Sequence, residues 1–66
     1  MNKVKGYRNM INKTQEEMAN ELGIALNTYR AYEENPSKMS VEIANKFIDI
    51  VKQVDNTITL NDIFSA

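Results

Sequence analysis

Cysteine and histidine are both absent from this sequence of 66 residues, and their absence removes two ways of stabilising a small protein. Without cysteine no disulfide can form, and without either residue a zinc site of the usual Cys/His type is excluded. A chain of this length buries only about 60% of the surface that it exposes when unfolded. Its fold must therefore depend on side-chain packing alone, or on packing together with a partner.

Proline and glycine are scarce, with one proline and two glycines in the chain. No segment shows the sustained alternation of apolar and polar residues that indicates β-strands. No apolar run is long enough to cross a membrane, and the N-terminal residues lack the apolar segment of a secretory signal. We therefore expect an all-α protein of the cytoplasm with no membrane partner.

Charge is distributed unevenly along the chain, although the net charge is only −1. The first thirteen residues contain four basic residues and no acidic one, whereas the remainder is acidic overall. A local basic surface can steer a polyanion even when the net charge is slightly negative. The same distribution is typical of solvated helix surfaces, so charge alone leaves the class of partner open.

Apolar residues spaced three and four apart predict helices throughout. The first helix is predicted from about Asn2 to Ile11, with Asn12 as a left-handed stop. The second begins at a capping box, Thr14 to Glu17, and the third runs from about Ala25 to Glu33.

The second half of the chain predicts two more helices. Residues 35–37 read as a loop because proline disfavours a helical residue before it. Ser40 is predicted to cap a fourth helix. The predicted buried stripe of that helix is Val41, Ala44, Phe47, Ile48 and Val51. Thr59 with Asp62 indicates a cap for a last turn, Leu60 to Phe64.

Residues 15–34 are typical of two short helices joined by a tight turn, the helix-turn-helix motif. Ala19 is small where the helices cross, Gly23 allows the positive φ of the turn, and Ile24 fills the corner. Tyr29 and Tyr32 anchor the following helix to the core. An αα-hairpin with a merely structural glycine is the alternative.

The segment TQEEMANELGIALNTYRAYEEN resembles the helix-turn-helix of the phage repressor and Cro family, also called the XRE family. Arg8, MSVEIANKF and ITLNDIF extend the resemblance over nearly the whole chain. It implies one five-helix, lambda-repressor-like DNA-binding domain over residues 1–66. Two positions depart from the family pattern: Lys13 replaces an aliphatic residue, and Ala25 stands where Ser or Thr usually caps the recognition helix.

A helical projection of the third helix places Tyr29, Tyr32 and Ala25 on the buried side. In this docking mode the second helix of the motif lies in the major groove. There Asn27 could pair with adenine and Arg30 with guanine or phosphate, while apolar side chains contact thymine methyl groups. The predicted base contacts are Leu26, Asn27, Arg30 and Ala31.

Phosphate contacts are predicted at the edges of this surface. Gln15 resembles the family glutamine that bonds phosphate and braces the recognition helix; an ordinary exposed polar residue is the alternative. Thr28, Ser37 and Lys38 are further candidates. The resemblance also implies that Arg8 and Glu33 form a partly buried ion pair with a structural role.

The C-terminal segment is more apolar than a thin core wholly absorbs. We predict a homodimer interface through Ile58, Leu60, Ile63 and Phe64, with a core role as an equal alternative. Dimers on near-palindromic operators are the common solution for small DNA readers.

The sequence contains no recognisable pair of a catalytic nucleophile and a general base, so we do not expect an enzyme. We also expect no cofactor, no metal site and no small-molecule substrate. The main hypothesis is a sequence-specific double-stranded DNA-binding transcriptional regulator, Cro-like or a minimal repressor, that acts by occupying its operator. The alternative is a protein-interaction module on the same fold, an antirepressor or an antitoxin.

Overall fold

A computed structural model describes residues 3–64, and these residues form five α-helices and no strand. The helices are α1 Lys3–Met10, α2 Gln15–Leu22, α3 Leu26–Glu34, α4 Val41–Val51 and α5 Leu60–Phe64. A 3-10 turn, Pro36–Lys38, lies between α3 and α4 in the predicted loop. The predicted all-α, five-helix arrangement is therefore confirmed, although Asn2, the predicted start of α1, lies outside the described residues.

The first two helices end in the same way. After α1, Asn12 has φ +58°, and after α2, Gly23 has φ +73°. In each case the N–H of the next residue bonds the carbonyl five residues back: Lys13 to Arg8 at 3.3 Å and Ile24 to Ala19 at 3.0 Å. These bonds, with a left-handed residue before the donor, form the Schellman motif. Glycine and asparagine are the residues that adopt this conformation most easily, which is why the two helices stop where predicted.

Helix starts differ in their caps. In the predicted capping box, the Glu17 N–H bonds Thr14 Oγ1 at 3.1 Å, and the Thr14 N–H bonds Glu17 Oε1 at 2.9 Å. Ser40 accepts from the Ile43 N–H at 3.1 Å, as predicted. Before α5 the Thr59 hydroxyl donates and does not accept: it and the Thr59 N–H both donate to the Asp62 carboxylate. Ala25 precedes α3 with no side-chain cap.

The core lies among all five helices. α2 packs on α3 and α4, and α5 packs on α1 and α4. The buried apolar residues are Val4, Met18, Ala19, Leu22, Tyr29, Met39, Ala44, Phe47, Ile48, Val51, Ile58 and Ile63. Within residues 3–64, no helix has the length and apolar content needed to cross a membrane.

Two predicted core positions are wrong. Val41, predicted on the buried stripe of α4, is 58% exposed. It lies in the first turn and about 70° from the centre of the stripe, so it projects past the core. Ala25, predicted on the buried side of α3, is exposed because it precedes the helix as the cap residue.

Candidate nucleic-acid interface

α3 presents one polar face to solvent. Asn27, Thr28, Arg30 and Glu34 are exposed, whereas Tyr29 is fully buried on the other side of the helix. Leu26 and Ala31 are half-buried, so only part of each side chain is accessible. The four residues predicted to touch bases therefore lie on a helix with an accessible surface. Asn27 and Arg30 are the most exposed of the four.

The motif holds α3 in place through its corner. Ala19 is 1% exposed where α2 meets α3, so no larger side chain fits without moving the helices apart. Ile24 is half-buried and packs on the core. A Cβ at Gly23 would meet nothing within 4 Å, so the glycine is required by its backbone conformation and not by space.

A buried ion pair fixes α3 to α1. Arg8 is 9% exposed and Glu33 is 4% exposed. Arg8 Nε donates to Glu33 Oε2, and Arg8 Nη1 donates to the Lys13 carbonyl at 2.8 Å. The Tyr29 hydroxyl donates to Glu33 Oε2 at 2.6 Å. The pair predicted from the resemblance is therefore present, and Tyr29 completes it.

The protonation states of this cluster follow from its contacts. Burial raises the pKa of Glu33, but hydrogen bonds from Arg8, Tyr29 and Gln15 outweigh burial and hold that pKa below its usual value of 4.5. Burial and the Glu33 carboxylate raise the pKa of the Tyr29 hydroxyl far above its ordinary value. Glu33 is thus a charged acceptor and Tyr29 a neutral donor near neutral pH.

Gln15 connects this buried cluster to the exposed face. Its Nε2 donates to Glu33 Oε1 at 3.0 Å. Its Oε1 accepts from Arg30 Nε at 3.2 Å. An open cleft of about 330 Å³ lies at this point, lined by Lys5, Gln15, Arg30, Glu33 and Glu34. Hydrogen bonds therefore connect Arg8 on α1 to Glu33 on α3, Glu33 to Gln15 on α2, and Gln15 to the exposed guanidinium of Arg30.

The other predicted phosphate contacts lie further along the chain. Ser37 and Lys38 belong to the exposed 3-10 turn that follows α3 and packs on it. The Ser37 hydroxyl donates to Asn35 Oδ1 at 2.6 Å. Thr28 is exposed in the first turn of α3. All of them remain accessible, and their contact with phosphate stays a prediction.

The predicted dimer residues divide into two groups. Ile58 and Ile63 are each 3% exposed and belong to the core of the chain. Leu60 and Phe64 are half-buried against that core. Val54, nearby in sequence, is 60% exposed. A partner would thus meet Leu60, Phe64 and Val54, whereas Ile58 and Ile63 support them from inside.

The resemblance implied that Gln15 braces the recognition helix, but it did not identify Arg30 as the residue that Gln15 contacts. The two residues are fifteen positions apart on different helices, and neither has an apolar or capping signature that connects them. The Tyr29–Glu33 contact is a local signal that was available, because side chains four apart on a helix face each other. A polar pair at that spacing, with Tyr29 in the core, indicates that Glu33 is drawn inward.

No group of acidic residues within residues 3–64 has the geometry to hold a metal ion.

Two short helices joined by a glycine turn, with the polar face of the second helix exposed, form the helix-turn-helix arrangement. In this class of protein the second helix of the motif enters the DNA major groove. The sequence model of the helix-turn-helix domain family matches residues 2–64, which is nearly the whole chain. The chain therefore belongs to the helix-turn-helix domain family, a family of DNA-binding domains that are typically not enzymes. No curated protein and no solved structure matches this chain.

Proposed function

We propose that this protein is a sequence-specific transcriptional regulator of the phage repressor and Cro type, a single domain that acts in the cytoplasm by occupying an operator. The observation that carries the proposal is the exposed face of α3, where Asn27 and Arg30 are accessible on a helix that the buried Arg8–Glu33 pair joins to α1. An amide and a guanidinium on an accessible helix are the groups that pair with adenine and guanine edges.

The remaining contacts follow from position. Leu26 and Ala31 offer methyl groups beside the two polar readers, and these suit thymine methyl groups. Lys38 and Thr28 are exposed donors at either end of α3 and suit the phosphate backbone. Ser37 can donate to phosphate as well once its hydroxyl turns away from Asn35 Oδ1. Gln15 has a second Nε2 hydrogen beyond the one given to Glu33, and this hydrogen is the one we assign to phosphate.

We propose a homodimer on a near-palindromic operator. One α3 reads only a few base pairs, and a pair of half-sites gives the contact area that specific binding needs. The exposed Val54 and the half-buried Leu60 and Phe64 supply an apolar surface in the C-terminal part of the chain. Ile58 and Ile63 hold that surface in place from the core.

The test is selection of bound duplexes from a random pool, followed by affinity measurements on the selected site. Asn27→Ala and Arg30→Ala should each relax the preference at one base pair, by a factor of about 5 to 100. Asn45→Ala and Lys46→Ala, which remove an exposed amide and an exposed cation from α4, are matched controls and should keep the preference.

Salt dependence separates the two function classes. Binding by the basic groups near α3 should weaken with added salt, with a slope of log K on log salt of about −2 to −3 per chain. A pool that yields no preferred site, together with a flat salt dependence, contradicts the regulator proposal. That outcome favours the antirepressor or antitoxin class, which the net charge of −1 also suits.

A further inference from the structure

Glu34 is the last residue of α3, and the fold gains nothing evident from its charge. The side chain is exposed and makes no hydrogen bond or ion pair with the residues that the structure describes. A carboxylate is also unfavourable at the C-terminal end of a helix, where the helix dipole is negative. α3 has no basic residue in its last turn to offset this effect. The reason for a carboxylate at this position therefore lies outside the stability of the chain.

The open cleft beside α3 has Glu34 in its wall. The residues that line this cleft of about 330 Å³ are Lys5, Gln15, Arg30, Glu33 and Glu34. Two of these side chains are cationic and two are anionic, so their formal charges cancel. The two carboxylates differ in accessibility. Glu33 is 4% exposed and accepts hydrogen bonds from three residues, whereas Glu34 is exposed. The carboxylate of the cleft that a ligand would meet is therefore that of Glu34.

Under the proposed function, a DNA phosphate approaches this cleft. The Nε2 hydrogen that is assigned to phosphate belongs to Gln15, whose side chain lines the cleft. Arg30 lines it as well, and this side chain must lie close to the duplex to reach a guanine or a phosphate. A phosphate at the mouth of the cleft therefore lies beside the Glu34 carboxylate. Two negative charges a few ångströms apart repel each other even in water.

We propose that Glu34 limits the affinity of this chain for DNA by repelling the phosphate that binds at the cleft. The inference rests on the proposed function and deepens it, because it assigns to the same surface a residue that opposes binding. Phosphate carries no sequence information, so the repulsion weakens specific and non-specific binding alike. A larger share of the remaining binding free energy then comes from contacts with bases.

The experiment compares Glu34→Gln, which keeps the size of the side chain and removes its charge, with Asp49→Asn. The latter removes one negative charge from an exposed position in the second half of α4 and is the matched control for net charge. Affinities are measured on the selected duplex and on a duplex of scrambled sequence, in a buffer with EDTA so that no divalent cation screens the carboxylate. At about 0.1 M salt, Glu34→Gln should bind both duplexes about three- to tenfold more tightly than the wild type, and Asp49→Asn should bind like the wild type.

Salt provides a second measurement. Because the repulsion is electrostatic and the site is open to solvent, added salt screens it. The ratio of the Glu34→Gln affinity to the wild-type affinity should therefore fall towards one as salt is raised from about 0.05 M to about 0.5 M. Urea unfolding should show that the variant is at least as stable as the wild type, because no side chain in the described part of the chain pairs with this carboxylate.

The outcomes separate this inference from the function on which it rests. A wild type that selects no sequence and shows a flat salt dependence contradicts the regulator proposal and the inference with it. A wild type that selects a site, together with a Glu34→Gln variant that binds no more tightly, contradicts the inference alone. An equal gain from Asp49→Asn would also contradict it, because net charge would then explain the effect. So would a gain confined to the selected duplex, because Glu34 would then act on base readout.

Discussion

Glu33 joins three helices through the hydrogen bonds that its carboxylate accepts. Its two carboxylate oxygens accept from Arg8, Tyr29 and Gln15, which come from three different helices. Within residues 3–64 no buried side-chain nitrogen or oxygen lacks a hydrogen-bond partner. A buried charge is tolerated only when it is satisfied in this way, and removing one partner leaves the others unpaired at a cost of several kcal/mol.

The pH dependence of stability should reveal this carboxylate. Because its folded-state pKa lies below the unfolded value of about 4.5, ionised Glu33 stabilises the fold above that pH, and the contribution is lost as pH falls through the folded pKa. The free energy of unfolding should therefore decrease from about pH 6 to about pH 3. In Glu33→Gln this decrease should be smaller, and the variant should be less stable at neutral pH.

Urea unfolding at several pH values provides the measurement. Glu16→Gln, which changes an exposed glutamate with no resolved pKa shift, is the control and should follow the wild-type curve. Parallel pH curves for wild type and Glu33→Gln would contradict a stabilising role for the charged carboxylate.

At the scale of elements, the two helices of the motif are capped unequally. α2 has a complete capping box at its start and a Schellman ending at Gly23. α3 has neither a side-chain cap nor an acidic residue in its first turn. Ala25 nevertheless has the extended backbone, φ −68° and ψ 149°, that a capping residue adopts. The residue before α3 thus has the backbone conformation of a cap but no side-chain acceptor for the free N–H groups of the first turn.

Ala25→Ser should stabilise the protein by about 1 kcal/mol, because the hydroxyl accepts a free N–H of the first turn of α3. For a chain of this size, the melting temperature should rise by about 4–8 °C. Thermal unfolding followed by circular dichroism measures the change. Ala25→Val, which adds no acceptor and is as poor a cap as alanine, is the control and should not be stabilised. Equal melting temperatures for the Ser and Val variants would show that the position does not act as a cap.

Helix type and the capped helix boundaries followed from the sequence, because caps and stops are local. Thr14 to Glu17, Ser40 and the left-handed residues Asn12 and Gly23 each act within a few positions of themselves. The error at Val41 has the opposite origin. Its position in the periodic pattern is compatible with burial, and only the extent of the core around the first turn of α4 leaves it exposed.

At the scale of the whole molecule, the fold changes the meaning of the charge distribution. Basic residues among the first thirteen form ion pairs with acidic residues elsewhere in the chain: Lys3 with Asp62, Arg8 with Glu33 and Lys13 with Glu21. Their acidic partners come from α5, α3 and α2. Basic residues of this segment are therefore paired within the fold. The proposal of DNA binding consequently depends more on Arg30 and Lys38, on the side of α3.

The dimer proposal can be tested on the exposed valines. Val54→Asp, at 60% exposure, introduces a charge into the proposed apolar interface and should weaken self-association by about tenfold or more. Val41→Asp, at 58% exposure on α4, is the matched control and should leave it unchanged. Equilibrium sedimentation gives the association constants. A wild type that is monomeric at high micromolar concentration would argue against the dimer.

The sequence by itself determined the five helices, the glycine turn and the outward side of α3, since each depends on backbone preferences and on periodicity within a few residues. The tertiary structure decided which charges face each other, how Gln15 joins Glu33 to Arg30, and that Ile58 and Ile63 belong to the interior. The reason is physical: the energy of a contact between helices depends on the distance between groups far apart in the chain. That distance exists only once the helices have packed.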